Sequence, residues 1–235
     1  MALKDTSAAK LYLFGYNLVQ FFGWSYGLII IVGHVLATGG KFTGAYDRVQ
    51  LSLTIFQSLQ LIEVGHCLVR LVPSNAFQTF VQIFSRLVVV WGILLPVADS
   101  RTSIGVPMLL IAWSLAEMTR YMYYALNIYD QVPYVLTWLR YTLFIVLYPL
   151  GVSGELLTMV AAIPYIRDSG LYSLSLPNFA NFSFYYHYGL VAIMLGYIPF
   201  FPQLYFYMIA QRKKVLGTGS PTINSKSSTC HQKTK

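Results

Sequence analysis

Two residues of complementary chemistry stand seven apart in an apolar stretch: Tyr148 and Glu155, within YTLFIVLYPLGVSGELL at 141–157. At about 3.6 residues per turn, seven residues make almost two full turns, so a helix projects both side chains from one face. Tyr141 adds a third position to that face. Pro149 removes a backbone donor, and Gly151 and Gly154 carry no side chain, so the segment is expected to kink and to let another group approach closely. A phenol and a carboxylate aimed at one volume are the ingredients of general acid/base catalysis. The same residues also fit a helix-packing face with a tyrosine capped by a carboxylate.

The other ionisable residues inside apolar runs fall into pairs at helical spacing. Glu63 and His66 stand at i, i+3, as do Glu117 and Arg120, whereas Gln82 and Arg86 stand at i, i+4. Glu117 and Arg120 are expected to neutralise each other. Arg86 is the only charge in its run and needs a carboxylate or an anionic ligand. Arg140 precedes the Tyr148 segment. A charge within a membrane span costs about 2.5–3.5 kcal/mol on insertion scales, so such residues mark paired or functional sites. Together they predict a nearly neutral polar interior in an apolar shell, with Glu63, Gln82, Arg86, Arg140 and Gly151 supporting Tyr148 and Glu155.

A second motif, GHCLVRLVPS at 65–74, resembles the His-Cys loop of protein tyrosine phosphatases. Proline 73 occupies the position of the phosphate-binding arginine. It supplies neither a bidentate cation nor a backbone N–H, and the cysteine lies at the edge of an apolar run where a thiolate is disfavoured. Phosphatase activity is therefore rejected.

The elements that must carry these residues follow from composition. The chain has 235 residues, of which 56% are hydrophobic and only 10% charged, against about 25% charged in soluble proteins. Mean hydropathy is +0.57. Leu11 to Gly40 and Ser169 to Gln211 contain no Asp, Glu, Lys or Arg. Val49 to Leu71, Ala76 to Ala98, Ile104 to Asn127 and roughly Tyr141 to Ile163 are each long enough to cross a bilayer, which takes about 20 residues. The expected fold is an all-α integral membrane protein, a bundle of six transmembrane helices. The first run is too long for a signal-peptide core and reads as a retained span.

The net charge of +8 is local: six of the sixteen basic residues, Arg212, Lys213, Lys214, Lys226, Lys233 and Lys235, follow position 210. It argues orientation and gives no nucleic-acid surface. With Lys4 and Lys10 before the first span, it puts both termini in the cytosol. The expected organisation is a cytosolic N-terminus at 1–10, a six-span domain at 11–214 and a disordered basic cytosolic tail at 215–235. Cys67 and Cys230 make no disulfide framework. Asn181-Phe182-Ser183 is a sequon expected to stay unused because it abuts the last span.

HCLVRLVPS, RYTLFIVLYPLGVSGELLT, GLYSLSLPN and IPFFPQLYFYMI together resemble the very-long-chain (3R)-3-hydroxyacyl-CoA dehydratase family, the protein tyrosine phosphatase-like proteins, over about Leu11 to Lys214. The resemblance implies a multi-pass enzyme of the endoplasmic reticulum membrane. It would remove water from 3-hydroxyacyl-CoA to give trans-2-enoyl-CoA in the third step of fatty-acid elongation, associated with the elongase, the 3-ketoacyl-CoA reductase and the enoyl-CoA reductase. It implies catalytic roles for Tyr148 and Glu155, with neither cofactor nor metal. The incomplete dilysine pattern at the end of the chain is the one local hint at that membrane.

Dehydration needs a base for the C2 proton and an acid for the departing C3 hydroxyl. Glu155 is read as the base, with Tyr148 donating to the hydroxyl or positioning the substrate; the reverse assignment stays open. Arg70, Arg140 and the Arg212 to Lys214 cluster are cations available to the CoA phosphates, although a cluster ending a last span also serves as a topological anchor. If Val132 to Arg140 lies along the interface, Tyr148 sits about 12 Å deep. The rival reading is a non-enzymatic transporter or scaffold with a polar cavity, against which stands the lack of any inverted repeat.

Overall fold

A computed structural model describes residues 6–174, 176–177 and 181–217. Most of the expected tail, with Cys230, and the first five residues lie outside the described residues. The architecture is helical throughout, with one isolated antiparallel bridge between Leu174 and Phe184.

Helix α1 covers Ser7–Ala37 and opens at Thr6, whose hydroxyl accepts the Ala9 N–H at 3.3 Å. Helices α2 (Ala45–Leu59) and α3 (Leu61–Leu68) are separated by a single tightened residue, Gln60. Helix α4 (Ala76–Val89) starts at Asn75, whose side-chain oxygen accepts from Phe77 and Gln78 N–H, and it widens into a π turn over Val90–Leu94. A short 3₁₀ turn, Ala98–Thr102, leads into α5 (Gly105–Asn127). Then come α6 (Tyr134–Arg140), α7 (Phe144–Ser169) and α8 (Tyr186–Leu216). Gly170, at φ 64°, closes α7 in the left-handed conformation that glycine adopts without penalty.

Four stretches are long and apolar enough to cross a membrane: Ser7–Ala37, Ala76–Leu94, Tyr134–Ser169 and Tyr186–Leu216. The other two expected spans are helical but differ in kind. One is divided at Gln60, and α5 carries Glu117 and Arg120 within its length. Helix α8 ends at Leu216, so residues 215 and 216 of the expected tail are helical.

The expected fifth span also begins later than its apolar run. Tyr141 caps the C-terminus of α6, and its ring lies edge-on to Tyr123 at 6.2 Å. It therefore does not share the face of α7 that carries Tyr148 and Glu155.

Helix α5 is the spine, packed against α1 on one side and α7 on the other, while α8 packs on α7. Leu109, Leu110, Met159 and Ile166 are fully buried in the resulting core. Leu190 is the only fully buried residue of α8, whose Leu195, Ile198, Phe200 and Phe206 are exposed. That is the surface a hydrocarbon solvent permits, since lipid tails are as apolar as leucine and do not drive such residues inward.

The α5–α7 contact depends on two glycines. A Cβ at Gly154 would stand 2.7 Å from both Gly105 O and Leu109 N, and one at Gly105 would stand 2.5 Å from Gly154 O. Neither set of backbone atoms can yield without separating the helices. At Gly151 a Cβ would meet Ala112 Cβ at an ordinary 3.5 Å. Gly154→Ala is accordingly expected to cost about 3 kcal/mol, and Gly151→Ala to be near neutral. Thermal unfolding in detergent checks this; equal midpoints for the two variants would contradict the close crossing.

Candidate active site

The polar stripe of α5 organises the interior. Trp113, Glu117, Arg120, Tyr121 and Tyr124 follow one another at steps of three, four or one residue, so they run down one side of the helix. Between them they reach α3, α4, α6 and α7.

In the middle of the stripe, four charges neutralise one another. Arg86 of α4 pairs with Glu117 Oε1, and Arg120 donates to Glu117 Oε2 at 2.7 Å. Arg120 also forks onto Glu63 of α3, with Nη1 to Oε2 at 2.7 Å and Nη2 to Oε1 at 3.0 Å. Tyr121 and Tyr16 donate to the same Glu63 Oε1, Tyr16 at 3.2 Å. Two guanidinium groups thus satisfy two carboxylates through charge-assisted bonds, bidentate between Arg120 and Glu63. Removing one partner of such a buried pair costs about 3–5 kcal/mol, which gives the cluster a structural role.

The Glu117–Arg120 pair forms as the spacing suggests. The expected Glu63–His66 pairing does not: Glu63 turns to Arg120, and His66 Nε2 instead meets Tyr12 Oη at 2.9 Å. A guanidinium fork from a neighbouring helix outcompetes an imidazole one turn away. Gln82 is exposed, and among the described residues no hydrogen bond ties its side chain to this network. Arg140 lies apart, donating to Tyr124 Oη at 3.0 Å with its guanidinium over the Tyr123 and Tyr124 rings, each at 4.5 Å. Gly151 contributes room beside Ala112 and the Trp113 ring.

Glu155 is treated differently from the other carboxylates. It is buried where α5, α7 and α8 meet, and among the described residues it forms no ion pair. Two neutral donors hold it: Trp113 Nε1 gives to Oε1 at 2.9 Å, and the Tyr197 hydroxyl of α8 gives to Oε2. The nearest cationic influence is Arg86, whose guanidinium lies 5.4 Å from the Trp113 ring centroid while its charge is engaged by Glu117.

Tyr148 lies two turns earlier on α7 and also faces α8. Its ring stacks on Phe201 at 5.1 Å and 4° and on Tyr205 at 6.3 Å and 14°. It is half-buried. The structure thus places both residues against α8, Glu155 enclosed and Tyr148 partly open. Trp113 and Tyr197 escape a reading of the sequence. Trp113 has one local signal, its position four residues before Glu117; Tyr197, in an uncharged run, has none.

The phosphatase-like loop is closed to phosphate. Cys67 is buried inside α3 with Sγ 3.6 Å from Thr79 Oγ1. The N–H groups of Val69, Arg70, Leu71 and Val72 all donate to carbonyls of Gly65, His66 or Cys67, which leaves no amide cradle for an anion. Arg70 itself is exposed.

Comparison with known proteins finds a family model described as "Protein tyrosine phosphatase-like protein, PTPLA" matching residues 57–218. The chain is similar to very-long-chain (3R)-3-hydroxyacyl-CoA dehydratase 2 of Mus musculus, 46% identical over 210 residues that cover 88% of this chain and 82% of the mouse protein. It is 47% identical to the Caenorhabditis elegans very-long-chain (3R)-3-hydroxyacyl-CoA dehydratase hpo-8, over 91% of this chain and 98% of that protein. The Oryza sativa very-long-chain (3R)-3-hydroxyacyl-CoA dehydratase PASTICCINO 2A is 38% identical over 92% and 97%. No solved structure matches.

Proposed function

The chain belongs to the protein tyrosine phosphatase-like (PTPLA) family, and from that premise we infer that it is a very-long-chain (3R)-3-hydroxyacyl-CoA dehydratase. It is a hydro-lyase that converts 3-hydroxyacyl-CoA to trans-2-enoyl-CoA and water. The observation that carries the site assignment is the contrast among carboxylates: Glu63 and Glu117 are neutralised by arginines, whereas Glu155 is buried on neutral donors alone and faces the same helix as Tyr148.

In this reading the substrate thioester lies between α7 and α8. Glu155 takes the C2 proton as a base, and the electron pair of that C–H bond forms the C2–C3 double bond as the C3–O bond breaks. Tyr148 gives its proton to the leaving hydroxyl, which departs as water. The proton gained by Glu155 then restores the phenol. Trp113 and Tyr197 fix the carboxylate so that it need not reorganise, and they are positioning residues. The Arg86 guanidinium lies over the Trp113 ring.

The enzyme test is direct. Purified protein incubated with a long-chain 3-hydroxyacyl-CoA is expected to produce the enoyl-CoA, seen by its ultraviolet absorbance; absence of product from folded protein would defeat the dehydratase reading. Tyr197→Phe tests the positioning role. Losing one hydrogen bond to a charged group costs about 1.5–3 kcal/mol, so kcat is expected to fall about tenfold or more with KM little changed. A rise in KM at constant kcat would reassign Tyr197 to substrate binding.

The wider setting belongs to the same proposal. We place six spans in the membrane, with α2–α3 as the second and α5, its charges internally paired, as the fourth. Both termini then face the cytosol, as the basic flanks favour. The endoplasmic reticulum membrane and association with an elongase and the two reductases of the cycle follow from the reaction's place in elongation. Protection of α1–α2 loop tags, but not of terminal tags, from protease in sealed microsomes is the expected result.

A further inference from the structure

Where α6 passes the C-terminal end of α8, a cleft of about 320 Å³ opens between two aromatic side chains, Tyr134 and Trp138, and two cations, Arg212 and Lys213. Arg212 is half-buried in its lining, with Nε shielded from solvent and without a hydrogen-bond partner. That Nε is out of a ligand's reach, so an anion entering the cleft would be met by the Nη groups of the planar guanidinium.

The cleft connects with the reacting pair through one helix pair. Tyr197, which holds Glu155, and Arg212 stand fifteen residues apart on α8, about 22 Å along the axis. Phe201 and Tyr205 lie between them, stacked with Tyr148 of α7 in three nearly parallel rings. A flexible thioester arm laid past this aromatic cluster would have one end at Glu155 and the other at the cations.

We propose that the α6–α8 cleft is the subsite for the nucleotide end of CoA, with Arg212 and Lys213 on its phosphates and Trp138 or Tyr134 against the adenine. The proposal rests on the dehydratase reading and deepens it. Phosphates match a guanidinium fork and an ammonium, and an adenine offers a face for stacking. A cation cluster serving only to anchor a last span needs no cleft against α6. An anionic lipid headgroup shares the phosphate chemistry but carries no adenine.

The test compares two thioesters of one 3-hydroxyacyl chain, on CoA and on pantetheine, in the wild type and in Arg212→Gln/Lys213→Gln. The ratio of their kcat/KM values is expected to fall at least about tenfold in the variant, roughly 1.4 kcal/mol of lost recognition, driven by KM of the CoA substrate. An unchanged ratio overturns the subsite even if both rates drop together, and it is also what a lipid-headgroup or anchoring role gives. A wild type that dehydrates neither thioester defeats the dehydratase reading instead. Should the variant fail to fold, the wild type supplies the same decision: adenosine 3′,5′-bisphosphate is expected to compete with the CoA thioester and not with the pantetheine thioester. No such selective competition at millimolar concentration overturns the proposal.

Discussion

Glu155→Gln is expected to abolish almost all dehydration while leaving the protein folded. General acid/base groups contribute about 10²–10⁴-fold to rate, and the base of a C–H abstraction has no substitute among its neighbours here. Trp113 and Tyr197 are donors, and the remaining carboxylates of the interior are occupied by Arg86 and Arg120. A loss of about 10³-fold in kcat corresponds to about 4 kcal/mol of transition-state stabilisation. Glutamine keeps the shape and still offers an oxygen to Trp113, so packing at the α5–α7–α8 junction persists. Enoyl-CoA formation and the unfolding midpoint in detergent are the two measurements. A variant within tenfold of wild-type turnover would remove Glu155 from the chemistry and reduce it to a structural acceptor.

Tyr148→Phe is expected to lose about 10²-fold in turnover, again without loss of fold. The stacking of this ring on Phe201 and Tyr205 belongs to its π face, and phenylalanine retains it. Only the hydroxyl is removed, so the loss isolates proton delivery. If Tyr148 donates to the departing C3 hydroxyl, the fall is in kcat with KM unchanged; if it positions the substrate, KM rises. Near-normal dehydration by this variant would exclude both roles. In the double variant with Glu155→Gln, the losses are expected to be far from additive, because two groups of one proton-transfer unit fail together.

Legibility in the sequence differed from residue to residue. That Tyr148 and Glu155 share a direction could be read from numbering, because both lie on one unbroken helix, where spacing sets relative orientation. The Glu117–Arg120 bond was legible for the same reason. Equal spacing misled at Glu63 and His66, since local geometry allows a contact without saying whether a better partner arrives from elsewhere. It misled also at Tyr141, where the chain turns between α6 and α7, and at Gln82, which is exposed although Arg86, one turn on, reaches inward to Glu117.

Composition and apolar run length alone determined that this is a helical membrane protein with a sparse set of internal charges. A hydrocarbon solvent obliges the backbone to bond within each segment and makes every buried charge conspicuous. What only the tertiary structure decided is which of those charges are spent on one another. Both donors that hold Glu155 stand 42 residues from it in the chain, and Arg120 reaches Glu63 across 57. Partners on different helices are set by how the helices cross, and the α5–α7 crossing is set by the touching backbones at Gly105 and Gly154. No periodicity within a single helix carries that information, so the distinction between structural Glu63 and Glu117 and the unpaired Glu155 exists only in the assembled bundle.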